Sequence, residues 1–410
     1  MVIDGQGEWG SMSYFAYEHG RLRPVFHAKG PESLGIVYGL CTGFCGFNVE
    51  KGEEWKLMGL APYGELDEEV LAALRALVRV DELSLRYPAV PEIERWFKHM
   101  ESKARTKDMS ALQVADLAFT TQFFYAEVMD QLLDHFYQHR ISDNLVLGGG
   151  CGLNSSYNGE IVSRTKFKRL HVPSAPADDG NALGSALLAY YQDHPNAAPK
   201  AEIHTPFLGS AMSKATIENL TAFSRLDKLR RLPDTIHRET AQLLADGKLV
   251  GWVQGRAEFG PRALGNRSIL ADPRPSDMKD KINSRVKFRE EFRPFAPSIL
   301  DEFGDEYFED YQVSPYMERT LKFKESAKKK VPAIVHVNAT GRLQSVRREW
   351  NPRYYDLIKA FYEITDVPML LNTSFNIMGK PIIHSVEDAI GLFYTTGLDA
   401  LVLEDYLIEK

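Results

Sequence analysis

Near its midpoint the chain runs through a polar stretch with three prolines, Gln192-Asp-His-Pro-Asn-Ala-Ala-Pro-Lys-Ala-Glu-Ile-His-Thr-Pro206, in which neither helical nor strand periodicity survives. A break of that kind divides 410 residues into two parts of ordinary domain size. The expected division is 1–195 and 208–410, with a linker over 196–207. Apolar residues make up 44% and charged residues 26%, which is the balance of packed domains and excludes long disorder. Only Cys41, Cys45 and Cys151 are present, too few for a disulfide framework or a four-cysteine zinc site, so a reducing, cytoplasmic setting is expected. No apolar run reaches the ~18 residues of a membrane span, and MVIDGQGEWG lacks the basic and apolar regions of a secretory signal. A net charge of −7 argues against a general nucleic-acid binder.

Strand and helix patterns alternate in both halves, which predicts an α/β fold throughout. Residues 1–60 read as strands and turns. A helical pattern follows over Met109–His139, capped by Ser110, and then a short buried strand, Asn144–Leu147. The segment Asp178–Gly184 leads into a helix ending near Tyr191. Beyond the break, helices are expected at 217–223 and 235–246, with strands at 248–253 and 401–403.

Chemistry concentrates in four places. Residues 251–300 hold seven arginines and three lysines against six acids, in a chain that is acidic as a whole. These cations are interleaved with Phe259, Pro261, Leu264, Phe292 and Phe295, which suits a phosphate or nucleotide pocket, because the guanidinium fork binds such anions in bidentate fashion. The competing reading pairs them on a surface with Glu258, Glu290 and Glu291. The run Val367–Asn376 takes an apolar strand into polar side chains, with Asn372, Ser374 and Asn376 on one face. They sit where ligands gather at strand carboxyl ends, or they cap a turn. LVLGGGCGLNSSYN (145–158) sets glycines after a strand, as a phosphate loop would, but has neither P-loop nor dinucleotide spacing. Finally Asp4 and Asp178, with Asp179 as a one-residue alternative, can serve as ligands of a hard cation or as turn residues.

Taken together, DGQGEW (4–9), SLG (33–35), KLMGLAPYG (56–64), LGGGCGLNSSYN (147–158), DDGNALGSA (178–186), GRAEFGPRALGNRSILADPR (255–274), KFREEFRPFAPSI (287–299) and LNTSFN (371–376) resemble the O-carbamoyltransferases of the NodU/CmcH type, in family order. The resemblance implies a partial actin/Hsp70-like (ASKHA, TsaD-type) domain followed by a YrdC-like α/β domain. It implies that ATP and carbamoyl phosphate yield carbamoyl-adenylate in the second domain. The first domain would then pass the carbamoyl group to a hydroxyl of a small molecule, at a divalent metal (iron there, Mg2+ with ATP). Carried over residue by residue, Arg262, Lys287, Arg289 and Arg293 would hold phosphates or the carbamoyl precursor. His336, Thr340, Arg342, Asn372, Ser374 and Asn376 would line the same pocket. Gly149, Gly150, Asn154 and Asn158 would contact nucleotide in the other domain, and Asp4 and Asp178 would be its metal carboxylates. The family also carries an HxxxH pair ahead of DGxGEW, which is not in this sequence, so a separate N-terminal chain is an expected partner, and a homodimer another. Two alternatives are a non-catalytic nucleotide-binding partner of such a chain and an ASKHA-type ATPase or kinase.

Overall fold

The computed structural model describes residues 1–7, 10–197, 205–224, 226, 228–377 and 379–410. The chain divides into two compact units, Met1–Ala201 and Glu202–Lys410. Most of the expected linker, 198–204, lies outside the described residues.

In the first unit β1 (Val2–Ile3) pairs antiparallel with β2 (Met12–Glu18), and β2 with β3 (Arg21–His27). Helices α1 (Leu34–Phe44), α2 (Glu54–Leu60), α3 (Glu68–Leu77) and α4 (Val90–Lys103) follow, with the hairpin β4 (Arg79–Asp81) and β5 (Ser84–Arg86) between the last two. The long α5 (Ala115–Gln138) is preceded by a single 3-10 turn, where Ser110 and Gln113 form a capping box. Its buried face, Leu117, Phe124, Val128, Leu132 and Phe136, recurs at helical spacing. Then come β6 (Asn144–Val146), α6 (Ser155–Arg164), β7 (Arg169–His171), parallel to β6, and α7 (Asn181–Asp193).

One expectation for this unit fails: residues 34–60 are helical rather than strands and turns. Gly35, Gly39 and Gly43 lower the helix propensity of α1, and its β-branched residues read as strand. Ser33 nevertheless caps it, accepting from the Ile36 amide at 3.1 Å. Packing overrides propensity here, since a side chain at Gly35 would strike the backbone of Asp4 and Gly5.

The second unit opens with α8 (Lys214–Phe223), β8 (Leu229–Arg231), α9 (Ile236–Ala245), β9 (Val250–Val253) and β10 (Arg267–Ala271). A short α10 (Met278–Ile282) runs on into one π-helical turn over Asn283–Lys287. Next are β11 (Ala296–Leu300), α11 (Gly304–Tyr307), β12 (Arg319–Lys322), α12 (Glu325–Lys328) and β13 (Thr340–Val346). The unit closes with α13 (Pro352–Thr365), β14 (Met369–Ser374), α14 (Val386–Thr395), β15 (Ala400–Leu403) and β16 (Tyr406–Glu409).

Among the described residues β8–β16 make one mixed sheet, in the order β12-β13-β11-β14-β10-β9-β15-β16-β8. Strands β9, β10, β11 and β15 are buried along their whole length, without alternation, as a sheet covered on both faces requires. Helix α13 packs on α9 and against β11 and β14. The chain is therefore a mixed α/β protein. No described helix is long and apolar enough to cross a membrane.

Candidate active site

The registers of the large sheet bring the sequence motifs of the second unit to one end. Asn372 lies opposite Ala296 and Leu270, Ser374 opposite Ser268, and Gln344 beside Ser298. The tip of β14 thus meets the beginnings of β10, β11 and β13. Ser374 falls at the carboxyl end of β14, where the sequence reading put it, and β9 ends on the same side, with Val253 opposite Arg267. Arg262 precedes β10, Lys287, Arg289 and Arg293 lead into β11, and Thr340 and Arg342 open β13, with His336 just ahead.

Lys287 ties two of these segments together. Its ammonium donates to the Ser374 carbonyl (2.5 Å), the Asn376 carbonyl (3.0 Å) and the Asn376 Oδ1 (2.8 Å). The Ser374 hydroxyl donates to the same Oδ1 at 2.7 Å, and the Asn376 amide to the Lys380 carbonyl at 2.6 Å. Arg289 donates to Asn283 Oδ1 at 3.1 Å and lies over the Phe295 ring, 4.3 Å from its centroid. Arg293 pairs with Glu290 at 2.6 Å. Thr340 donates its hydroxyl to Asn338 Oδ1 at 2.7 Å.

The electrostatics are those of cations lacking enough anions. Burial lowers the Arg262 pKa to about 10. Burial, followed by repulsion from Arg293, lowers that of Arg289 to about 9. Arg342 is pushed well below the ordinary range by burial, then by Arg262 and Arg289, and its Nε is buried without a hydrogen-bond partner. Lys287 is lowered likewise, by burial and then by Arg289 and Arg293. Burial takes His336 down to about 4, opposed by a bond to the Phe292 carbonyl. Among the described residues neither Arg262 nor Arg342 has an acidic partner. Buried uncompensated charge is costly, and a site that holds several such cations is suited to an anion carrying more than one charge.

Not every arginine of the stretch belongs to this cluster. Arg256 donates to the Leu208 carbonyl, Arg267 to the carbonyls of Gln254, Gly255 and Ser210, Arg274 pairs with Asp272 and Arg285 with Asp399. Glu258 is not the surface ion-pair partner considered from the sequence. Its Oε1 accepts the amides of Leu264 (2.7 Å), Asn266 (2.8 Å) and Arg267 (3.1 Å). Asn372 is only 1% exposed and donates to the Ala263 carbonyl and the Ser298 hydroxyl, so it braces the arginine turn rather than lining an open wall. Sequence reading passed over Gln344, which donates to the Leu264 carbonyl at 2.9 Å, and Lys279, repelled by Arg289. Gln344 stands two residues beyond Arg342, and strand alternation on GRLQSV could have found it.

In the first unit the expected site residues bond mainly to their own fold. Asp4 accepts the amides of Gly5 (2.7 Å) and Gly150 (2.6 Å), one on each oxygen. Gly149, at φ +87°, lies so close to Ile3 that a Cβ would come 2.1 Å from its carbonyl oxygen. Asn154 caps α6 by accepting from Tyr157 and exchanges amide bonds with Gln122; Asn158, wholly buried, donates to the Gly152 carbonyl. Asp178 is exposed on a 3-10 turn, and Asp179 accepts the Gly180 amide. Among the described residues no three His, Cys, Asp or Glu side chains group so as to hold a metal ion. The expected pair Asp4 and Asp178 therefore does not amount to a donor set for iron, which takes nitrogen beside carboxylate.

Comparison with known proteins matches residues 1–187 to the carbamoyltransferase N-terminus family model and 241–410 to the carbamoyltransferase C-terminus model. The nodulation protein NolNO of Sinorhizobium fredii is 36% identical over all of this chain, which spans 60% of that protein. A 3'-hydroxymethylcephem-O-carbamoyltransferase of Amycolatopsis lactamdurans is 30% identical over 98% of the chain and 75% of its own length. A solved structure of full-length HypF in a phosphate- and nucleotide-bound form aligns with 48% of this chain and 26% of its own, at 18% identity and a TM-score of 0.30. With both halves matched in order, and relatives of this similarity along its whole length, the chain belongs to the carbamoyltransferase family of the NodU/CmcH type.

Proposed function

We propose that the second unit activates carbamoyl phosphate with ATP, and that the chain belongs to an O-carbamoyltransferase acting on a hydroxyl of a small molecule. The observation carrying this reading is the convergence of Arg262, Lys287, Arg289 and Arg342 at one sheet end, with Lys287 buried and Arg262 and Arg342 half-buried and, among the described residues, without acidic partners. Carbamoyl phosphate, ATP and pyrophosphate are dense in negative charge. Atom balance requires carbamoyl phosphate to lose its phosphate to water as the carbamate oxygen displaces pyrophosphate from ATP, giving carbamoyl-adenylate. Fixed cations stabilise charge as it builds on the leaving phosphates, without reorganising. The assignment of the second unit as YrdC-like and the first as TsaD-type is proposed on the same footing. Among the described residues of the first unit, Asp4 and Asp178 do not by themselves make a metal site.

The test is pyrophosphate release from ATP by this chain, with and without carbamoyl phosphate and with no acceptor present. Release that depends on carbamoyl phosphate is the expected result. ATP turned over to ADP regardless of carbamoyl phosphate would overturn the reading in favour of an ATPase or kinase.

A further inference from the structure

The backbone that carries Arg262 is held almost entirely by side chains. Four consecutive amides, Leu264 to Arg267, all end on side-chain oxygens: three on Glu258 Oε1 and that of Gly265 on the Ser268 hydroxyl, at 3.1 Å. The carbonyls are gripped from the other side. Asn372 donates to Ala263, Gln344 to Leu264 and the Arg267 guanidinium to Asn266. The side chain of Asn266 is itself fixed by Gln254 and Asn351. Two backbone bonds add to these, from the Gln254 amide to the Asn266 carbonyl at 3.1 Å and from the Phe375 amide to the Arg267 carbonyl at 2.9 Å. Arg262 and Arg342 carry like charges, and a looser turn would let Arg262 swing into water.

We propose that Glu258 is a positioning residue: its carboxylate clasps the turn 264–267 and so keeps Arg262 beside Arg342, ready for the anion. Glu258 acts through the backbone of the turn, and its bonds are of the strong, charge-assisted kind. A single oxygen taking three amides is a geometry in which loss of the acceptor frees three donors at once. The inference rests on the carbamoyl-phosphate reading of the pocket for its catalytic consequence, but not for its structural one.

The test compares the full chain with Glu258→Ala and Glu258→Gln, the latter keeping an Oε1 that can accept the same amides. Two measurements are made: the KM for carbamoyl phosphate in pyrophosphate release, and hydrogen exchange of the amides 264–267 against those of Val250–Val253. Glu258→Ala is expected to raise KM about tenfold or more, as a misplaced binding group does, with far less effect on kcat. Exchange at 264–267 should accelerate while β9 stays protected, and Glu258→Gln should recover most of both effects. Unchanged exchange at 264–267 in Glu258→Ala overturns the clasp. Equal impairment of the Ala and Gln variants overturns it too, since charge rather than hydrogen-bond acceptance would then be at work. If the wild-type chain releases no pyrophosphate, the functional reading fails separately, and the exchange measurement still decides on the clasp.

Discussion

The two units hold sequence motifs of similar density and treat them in opposite ways. In the first, Asp4, Asn154 and Asn158 find hydrogen-bond partners inside their own fold, and Gly149 and Gly150 let β1 and the loop after β6 touch. In the second, Glu258, Gln344 and Asn372 brace the turn that carries Arg262, yet Glu258 Oε2, Asn372 Oδ1 and Arg342 Nε stay buried without a hydrogen-bond partner. A motif residue that completes the fold and one that awaits a ligand look the same in sequence. The difference lies in what remains unpartnered after folding.

Three experiments can break or sharpen that contrast. Arg262→Ala should lower carbamoyl-phosphate-dependent pyrophosphate release about 100-fold or more, the scale for removing a fixed charge at a reacting centre. Its melting temperature should be unchanged or raised, because a half-buried charge without an acidic partner has been removed. Full activity in a folded Arg262→Ala protein would dissolve the distinction between the units. Gly149→Ala should do the reverse in the first unit. The added methyl meets the Ile3 backbone in a left-handed conformation, and a loss of about 2–4 kcal/mol in denaturant unfolding is expected. A stability within error of wild type would show that the close approach of β1 to this loop is not required. The smallest effect is that of pH on His336. Its folded pKa of about 4 lies below the ordinary 6.5, so the folded state takes up the proton less readily than the unfolded chain. Its contribution is full above pH 6.5 and is lost as pH falls toward 4, by about 2 kcal/mol after allowing for partial solvent contact. Urea midpoints between pH 7 and 4 should fall less steeply in His336→Asn than in wild type; parallel slopes would remove His336 from the buried cluster.

How much of this was legible in the sequence depends on the range of the interaction. The helix capped at Ser110 was readable because its signals are local: a cap, a glutamine three residues on, and apolar residues at helical spacing. Helix α1 was hidden because the backbone that Gly35 packs against is that of Asp4 and Gly5, some thirty residues upstream, while Gly39 and Gly43 face Val49. The arginine cluster was visible as a composition anomaly, but not its membership. Arg267 and Arg262 are five residues apart in one motif; the first is wholly buried and bonded to carbonyls, the second lacks an acidic partner. That sorting follows from the sheet, as does the link from Lys287 to Ser374 across 87 residues. Asp4 before a glycine reads equally well as a ligand or as a turn, and the amides of Gly5 and Gly150 take both its oxygens.

The order of the large sheet also bears on how quickly its active end can be assembled. Strand β9, which supports β10 and through it the arginine turn, has β15 as its other neighbour, and the Leu249 amide closes on Asp399 across 150 residues. Contacts so distant along the chain carry a large loop-closure entropy and put a domain among the slow folders. Until β15 docks, β9 is an edge strand with open backbone groups, and the half-built sheet exposes an apolar rim to other chains. Refolding yield of the second unit should therefore be limited by concentration well before it is limited by stability.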